Sequence, residues 1–562
     1  MSLSSTLATN SIVEGKRCRV GLITIGREHG FSVGVEQSAY LDALLDVKGR
    51  TVKRLSMPEV RKAVESMRGK VDVLAVAGLM SVRNPTQEKT VRSVAEKMLG
   101  IPVVCAHELS SRFGFEARTN TAIINAGLIP VILELIDSVT KALKDMGIDA
   151  PLMIVKGDGS IMNVNTAIKR PIETIMSGPA SSLTSAMVHS GIGDALIADM
   201  GGTTTDLGIV RDGFVRTLDS GAVVGGHRTR VRAADVSTYG IGGDSRISVE
   251  NGRITLSPIR IISLCVAASR WPDRFGREDI LKDVPDCEFY TLASNDNHTH
   301  LSDNDVRFLK ALADGPRSPK EVSGMTGIPV GGFSLTDLET KGYVTRIGIT
   351  PTDILAAEGS FTDYDPSVSE RAVAMLASKA GVDTDIFIRE VKQAIVDKIC
   401  GCIEDHLSRS ADDGSDMPLV GIGAPVGAWL PAVAERFGIE LILPENYDVG
   451  NAIGAISSSV TEVVEVQVRA GFQDFSDKPE CTVYNGSEAF EFAEKDEAIE
   501  FALKEASRMA IERAKASGAF EVKVDHRIEE VLIDVHGKGK KVFRGATVIA
   551  RASGKPMMQW FR

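Results

Sequence analysis

Leu196-Ile-Ala-Asp-Met-Gly-Gly-Thr-Thr-Thr-Asp-Leu-Gly-Ile-Val210 decides how this chain is read. Apolar residues flank a glycine pair, so the stretch predicts strand, tight turn, strand. Gly201 and Gly202 lack a Cβ, which lets backbone N–H groups approach phosphate oxygens closely. Thr203, Thr204 and Thr205 can add hydroxyl donors, and Asp199 and Asp206 fall at the two strand ends. A carboxylate beside a phosphate loop repels its ligand unless a cation lies between them, so Asp199 implies Mg²⁺. A plain tight hairpin would also use a Gly-Gly turn. The full spacing Asp-x-Gly-Gly-Thr-x-x-Asp between two apolar strands favours nucleotide phosphate binding.

Working outward, residues 1–185 alternate β-branched runs (Val20–Ile25, Val71–Ala77, Ile101–Cys105) with amphipathic stretches (Met57–Met67, Glu88–Leu99, Ala122–Met146). That alternation predicts an α/β layered architecture. A second α/β region covers 186–300 and 347–460. Between its halves, 301–346 predicts three short helices and a strand, with a capping box at Ser318 to Glu321; the pattern is winged-helix-like. From Asp303 to Arg346 there are six acidic and six basic side chains. A nucleic-acid surface wants a basic face, so a structural or subunit-contact role is expected instead. Residues 461–562 predict a small α+β tail, with helix from Ala489 to Ser517 and strands at Phe520–Val531 and Lys541–Arg551.

With 562 residues, several domains are expected. A net charge of −11 argues against nucleic-acid or anionic membrane partners. No uninterrupted apolar run approaches the roughly 20 residues that span a bilayer. Seven dispersed cysteines suggest reduced thiols and a cytoplasmic setting. Cys400 and Cys402, at i and i+2 of a helical stretch, point to different faces and make no metal pair. His298 and His300 sit in a polar loop without a ligand set around them.

The 196–210 stretch resembles the second phosphate loop of the actin/hexokinase-like ATPases. Further segments resemble the hydantoinase/oxoprolinase family in order. They are Ser4-Ser-Thr-Leu-Ala-Thr-Asn10 with Glu14-Gly-Lys16, Ser177-Gly-Pro-Ala180, Thr238-Tyr-Gly-Ile-Gly-Gly-Asp-Ser245 and Gly348-Ile-Thr-Pro-Thr-Asp353. The resemblance implies an actin-like (ribonuclease H-like) ATPase with two α/β domains around a nucleotide cleft. It implies ATP and Mg²⁺ as cofactors, a small cyclic amide of hydantoin or oxoproline type as substrate, and ATP-driven opening of that ring. It also implies a hydantoinase B-type partner subunit or a homo-oligomer. A ketone carboxylase subunit and a non-catalytic nucleotide-binding module are the alternatives.

Carried over residue by residue, the phosphate loop gives Gly201, Gly202, Thr203, Thr204 and Thr205, with Asp199 as metal carboxylate and Asp199 and Asp206 as the catalytic pair. Gly242, Gly243 and Asp244 form a backbone-donor turn. Gly421, Gly423 and Ala424 of the run Leu419-Val-Gly-Ile-Gly-Ala-Pro-Val-Gly427 lie against adenosine. Asn451-Ala-Ile-Gly-Ala455 resembles a connecting helix in which Gly454 permits a close helix crossing. Val224-Gly-Gly-His-Arg-Thr-Arg-Val-Arg232 is the most basic short run; a solvated strand is expected, with Arg228, Arg230 or Arg232 as candidates to meet an anion.

Three departures stand out. Full-length relatives begin with an Asp-x-Gly-Gly-Thr segment before the Thr-Asn motif, so the chain is expected to lack a first phosphate hairpin and to hydrolyse little ATP alone. Lys156-Gly-Asp-Gly-Ser160 stands where many relatives have Ser-Asn-Gly-Gly, and Asp244 replaces a common glycine.

Overall fold

All six residues of Val20–Ile25 are buried, as are all six of Val73–Gly78, because each strand is covered on both faces. A computed structural model describes residues 1–13, 18–28, 33–218, 221–284, 286–293, 301–410, 417–471, 479–486, 488–534 and 541–557. The Glu14-Gly-Lys16 part of the N-terminal motif, and His298 and His300, lie outside these. The chain divides into two units. One comprises Met1–Val188, Val215–Asp235 and Asn451–Arg562; the other comprises His189–Phe214 and Val236–Gly450.

In the first unit, Gln37–Leu41, Val20–Ile25, Val73–Gly78 and Val103–Cys105 form an all-parallel four-stranded sheet in that order. Parallel strands need crossover helices that cover both faces, which is why the strands read as continuous apolar runs. Met57–Glu65 and Thr86–Leu99 pack with one face through Val60, Val64, Val91 and Ala95. Phe115–Asp145 packs with the other through Ala122, Ile123 and Ala126. This last helix begins seven residues before the expected Ala122, because Phe115 and Ala117 are also buried. By length and composition alone it is apolar enough to cross a bilayer. Its polar residues explain the lack of an uninterrupted apolar run, and they are engaged within the protein: Arg118 donates to the Gly78 carbonyl at 2.9 Å and Asn125 to the Lys169 carbonyl at 3.0 Å.

Residues 461–562 are not a free-standing tail. Val460–Ala470 joins an eight-stranded sheet that includes Ser2–Leu3, Met153–Val155 and Ile161–Asn163. It pairs antiparallel with Lys541–Pro556, which pairs in turn with Ala519–Asp534. Ala489–Phe492 is a strand of the same sheet, not helix as expected: its alternating Phe490 and Phe492 pack on Phe501. The helix is Lys495–Ala516, whose Ala498, Ala502, Ala506, Ala510 and Ala514 are fully buried. Alanine at every fourth position makes a narrow, smooth stripe that lets the helix lie close to the sheet. Gly454 allows another close approach: a Cβ there would lie 1.8 Å from the Ser181 carbonyl oxygen. The two N-terminal family motifs also meet in this unit, where the Ser177 hydroxyl donates to the Ser5 carbonyl at 3.0 Å.

The second unit is built on a six-stranded sheet in the order Phe214–Val215, Thr205–Arg211, Ala195–Met200, Leu419–Ile422, Leu441–Ile442, with Val236–Tyr239 pairing to Thr205–Arg211. Helices Ser367–Ala380, Thr384–Ser410 and Val426–Phe437 supply Val373, Phe387, Ile399 and Trp429 to its core. Cys400 and Cys402 are buried in that core, and all the cysteines are free thiols among the described residues, Cys18 half-buried and the others buried. Within 301–346 lie helices Asp303–Ala311, Pro319–Thr326 and Leu335–Thr340 and the strand Val344–Gly348. Ser318 and Glu321 form the expected capping box, and Phe308, Val322 and Leu338 make a small core of their own. The strand pairs with Ile262–Ser263 and Phe289–Leu292, so the segment is tied into this unit on both sides. Residues 215–235, expected in this region, belong to the first unit.

Candidate functional site

Ala195–Met200 and Thr205–Arg211 form an antiparallel hairpin whose register sets Asp199 opposite Asp206 and Met200 opposite Thr205. Gly201 N–H donates to the Thr204 carbonyl at 2.9 Å and closes the turn. Thr203 and Thr204 are half-buried with hydroxyls at the loop tip. Thr205 is fully buried and donates to the Ile241 carbonyl at 2.7 Å. Its hydroxyl therefore braces the hairpin instead of facing a ligand, because its place on the strand turns it into the core. Asp206 accepts a 2.6 Å hydrogen bond from Thr238 Oγ1. Burial pushes its carboxyl above the ordinary range, and the Thr238 hydroxyl offsets this only in part.

The turn at Gly242 to Asp244 supports this loop. Gly242 N–H donates to Ser245 Oγ at 2.9 Å, Gly243 N–H to the Gly201 carbonyl at 3.0 Å, and Asp244 N–H to the Gly202 carbonyl at 2.6 Å. Those three N–H groups are thus spent inside the protein, not presented to a ligand as expected. A β-carbon on Gly242 would lie 2.5 Å from the Gly202 carbonyl oxygen, and one on Gly202 would lie 2.3 Å from Asp244 Oδ2. The glycines permit two backbone turns to stack.

A third loop joins them. Gly423, with φ of +98°, leaves so little space that a Cβ would fall 2.2 Å from the Met200 carbonyl oxygen and 3.1 Å from Asp199 Oδ1. Its N–H donates to the Tyr447 carbonyl at 2.6 Å. Ala424 is exposed beside it. Gly421, by contrast, is inside the sheet: a Cβ there would lie 2.6 Å from Leu430 Cδ1 and 2.8 Å from Leu443 Cδ2. It makes room for packing and cannot touch a base. On the other side, a Cβ on Gly243 would lie 3.1 Å from Pro425 Cγ, so all three loops converge. Asp353 holds this corner from beneath, fully buried and accepting from the Leu264, Cys265 and Thr350 N–H groups.

The basic run of the first unit has a different fate from the solvated strand expected. Arg230 and Arg232 line a polar cavity together with Lys156 and Asp158 of the departing Lys156–Ser160 segment. Glu465 accepts from Arg112 at 2.6 Å and from Arg232 at 2.8 Å. Lys156 Nζ lies 3.3 Å from Glu173 and 3.7 Å from Asp158. Burial pulls the Lys156 ammonium down, but Asp158, Glu462 and Glu173 outweigh it and hold the charge. His107 lines the same cavity, with Nδ1 2.5 Å from Glu88 Oε2. Glu88 and His107 are 19 residues apart, and no local pattern in the sequence marks them as a pair. Cys105 lies beside both, yet this is a poor metal site: Glu88 also accepts from the Gly78 and His107 N–H groups, and burial pushes the Cys105 thiol far up.

A mixed α/β protein with three converging glycine loops beside a hairpin carboxylate pair is the class that the fold and site define. Residues 1–99 match the family profile described as hydantoinase/oxoprolinase N-terminal region, and residues 118–261 match hydantoinase/oxoprolinase. By these matches, residues 1–99 and 118–261 are of hydantoinase/oxoprolinase type. The chain is 25% identical over 284 residues to caprolactamase subunit alpha of Pseudomonas jessenii, covering 45% of this chain and 40% of that one. It is 24% identical over 297 residues to the acetophenone carboxylase gamma subunit of Aromatoleum aromaticum, again 45% of this chain and 40% of the other. To 5-oxoprolinase of Saccharomyces cerevisiae it is 25% identical over 232 residues, 40% of this chain and 17% of that one. The chain thus spans well under half the length of the curated relatives it matches. The crystal structure of ATP-dependent caprolactamase from Pseudomonas jessenii superimposes with a TM-score of 0.66 at 16% identity, covering 100% of this chain and 80% of that one. Nucleotide-free acetone carboxylase does so at 0.56 and 14%, covering 98% and 78%. Both likenesses are of fold.

Proposed function

We propose that the three-loop cluster of the second unit binds Mg·ATP, and that the chain is the ATP-using subunit of an enzyme that opens a cyclic amide. The observation that carries this reading is the stacking of Gly202, Gly242 and Gly423 around the turn that Asp199 and Asp206 flank. The carboxylate pair fits a divalent cation. Asp206 is half-buried with Thr238 as its one side-chain partner among the described residues, and a nearby cation would restore the ionised form that burial disfavours. In the same reading the second unit is an actin/hexokinase-like ATPase core, and 301–346 is a winged-helix-like module that binds no nucleic acid.

An unactivated lactam is a poor electrophile, and bound ATP would supply a phosphoryl group to turn the amide oxygen into a leaving group. What this chain contributes is placement and charge: Asp199 and Asp206 hold the cation, and Thr203 and Thr204 offer hydroxyl donors at the loop tip. Gly423 keeps the adenosine-side backbone against Asp199. Two relatives are named as subunits of larger enzymes, which supports a partner subunit of hydantoinase B type here. The unpaired cysteines accord with a cytoplasmic setting.

The acetophenone carboxylase gamma relative supports a second reading, an ATP-dependent ketone carboxylase subunit. Phosphate release from ATP, measured with the chain and its partner subunit against a lactam panel and against ketones plus bicarbonate, separates the two. Lactam-stimulated release supports ring opening. Stimulation by ketone and bicarbonate alone overturns it in favour of carboxylation.

A further inference from the structure

Ala519–Asp534 is a strand of 16 residues that pairs on one side with Lys541–Pro556 and on the other with no strand among the described residues. Its early part has a neighbour: Val522 and Val524 pack toward the alanine-striped helix, and His526 Nε2 lies 2.6 Å from Ser507 Oγ. From Asp525 to Asp534 every residue is exposed. Four of them are large and apolar, with Ile528, Val531, Leu532 and Ile533 exposed by 41% to 48%.

A long free edge presents a row of unpaired N–H and C=O groups, and proteins usually blunt it with Pro, lysines or a bulge. This stretch has no Pro and a single lysine, Lys523. Beyond Lys523 the ladder has one irregularity, and it leaves the extra residue, Arg544, on the inner strand and the outer edge regular. The charges follow an order that complements itself on reversal. Arg527 already pairs with Glu529 at 3.3 Å, and Lys495 of the helix holds Glu530 at 2.6 Å.

Symmetry limits how such an edge can meet a second copy. A two-fold axis perpendicular to a sheet keeps every side chain on its own face, so one residue must lie opposite its own copy. Centred on Ile528, Arg527 falls opposite Glu529 of the second copy, His526 opposite Glu530, and Val524 opposite Leu532, with no like charges paired. Opposite-charge and apolar cross-strand pairs are the stabilising ones. Centring on Arg527 sets Arg527 on itself and Asp525 on Glu529, and centring on Glu529 or Glu530 sets glutamate on glutamate. Centring on His526 runs the pairing into Glu521, where φ of +53° bends the strand and the ladder shifts between Phe520 and Lys523.

We propose that this edge is a homodimer interface, in which residues 522–534 pair antiparallel with the same segment of a second copy in the register centred on Ile528. The pairing supplies about a dozen main-chain hydrogen bonds and joins the two eight-stranded sheets into one. The edge lies in the first unit and holds no residue of the nucleotide loops, so the pairing does not rest on the function proposed above.

Sedimentation equilibrium of the whole chain across a wide concentration range tests it, and a monomer–dimer equilibrium is expected. Arg527→Glu sets glutamate against glutamate twice across the axis, and Glu529→Arg does the same with arginine. Each should weaken the dimer by roughly tenfold or more. Both side chains are exposed, so melting temperatures should hold. An equimolar mixture of the two variants restores both opposite-charge pairs in a heterodimer, and association should return there to near its original strength. Ile528→Cys should cross-link to its own copy under oxidation, whereas Glu530→Cys, set against His526 in this register, should not. A chain that stays monomeric, a dimer indifferent to both charge reversals, no recovery on mixing, or a cross-link at 530 in place of 528 would each overturn the proposal. So would hydrogen-exchange protection of 522–534 that requires an added hydantoinase B-type subunit, which would give the edge to that partner.

Discussion

Gly242 sits so close to Gly202 that a β-carbon on it would lie 2.5 Å from the Gly202 carbonyl carbon and oxygen. That contact locks the turn at 240–245 against the hairpin loop and explains why position 242 lacks a side chain, while Asp244 Oδ2, 2.3 Å from where a Cβ would stand, excludes one at Gly202. It also gives a direct test. Gly242→Ala must push the two turns apart, and overpacking of this kind costs about 1 to 3 kcal/mol. Mg·ATP affinity should fall by at least tenfold, with a lower melting temperature; unchanged affinity by calorimetry would show that the turn does not shape the nucleotide site.

Gly423→Ala probes the third loop. A Cβ there meets the Met200 carbonyl at 2.2 Å, and the backbone is left-handed at φ of +98°. Steric and conformational terms add, so a loss of roughly 2 to 4 kcal/mol is expected. Gly421→Ala should destabilise the unit through Leu430 and Leu443 with less effect on affinity per unit of lost stability. Comparing chemical denaturation with nucleotide titration in both variants reads this difference.

Asp199→Ala should abolish Mg·ATP binding while the chain keeps its melting temperature within a few degrees. The residue is half-buried at a strand end beside an exposed glycine and is not core. Nucleotide affinity equal to that of the unaltered chain, measured with Mg²⁺ present, would remove it from the site.

Glu465 gives a pH-dependent signature. Burial pushes its carboxyl up, but hydrogen bonds and charge from Arg112 and Arg232 outweigh this and hold it below its ordinary value of 4.5. A depressed folded-state value contributes stability that is present above the unfolded value and lost as pH falls through the folded one. Glu465→Gln leaves two guanidinium groups facing a neutral amide and should cost about 3 kcal/mol at neutral pH. The gap between the two proteins should then narrow below about pH 4.5. Urea melts across that range check it, and a gap independent of pH would mean that the ion triad adds nothing to stability.

Duplex DNA should not be retained by the chain at physiological salt. The 303–346 segment carries six acidic and six basic side chains, so few counterions would be released on binding. A salt-dependent gel shift would reverse that expectation.

The layered α/β architecture was legible because its signals are local. Val20–Ile25 and Val73–Gly78 are continuous apolar runs, Ser318 to Glu321 is a complete capping box, and each falls within a few residues of its observed bounds. Ala489–Phe492 misled because four residues with two phenylalanines and a glutamate fit either a strand or a helix start, and only pairing with Cys481–Tyr484 decides. At the candidate site, the positions of Asp199, Asp206, Thr203 and Thr204 could be read from spacing alone. The roles of Thr205, Gly421 and the N–H groups of 242–244 could not. Each is set by which neighbour a strand or turn meets in space, and Ile241, Leu430 and Gly201 are those neighbours.

The sequence by itself determined the hairpin at 196–210, the order of the family motifs and the balance of charge along the chain, because strand periodicity, turn chemistry and composition act over a few adjacent residues. Tertiary structure alone decided that Val460–Ala470 completes a sheet begun at Ser2, and that Arg112 and Arg232 converge on Glu465. It also decided that His107 is steered by a glutamate nineteen positions earlier. Those relationships join residues tens to hundreds of positions apart, and burial makes them binding. A charge removed from water must find its partner wherever the packed core places one, and nothing in the local sequence records where that will be.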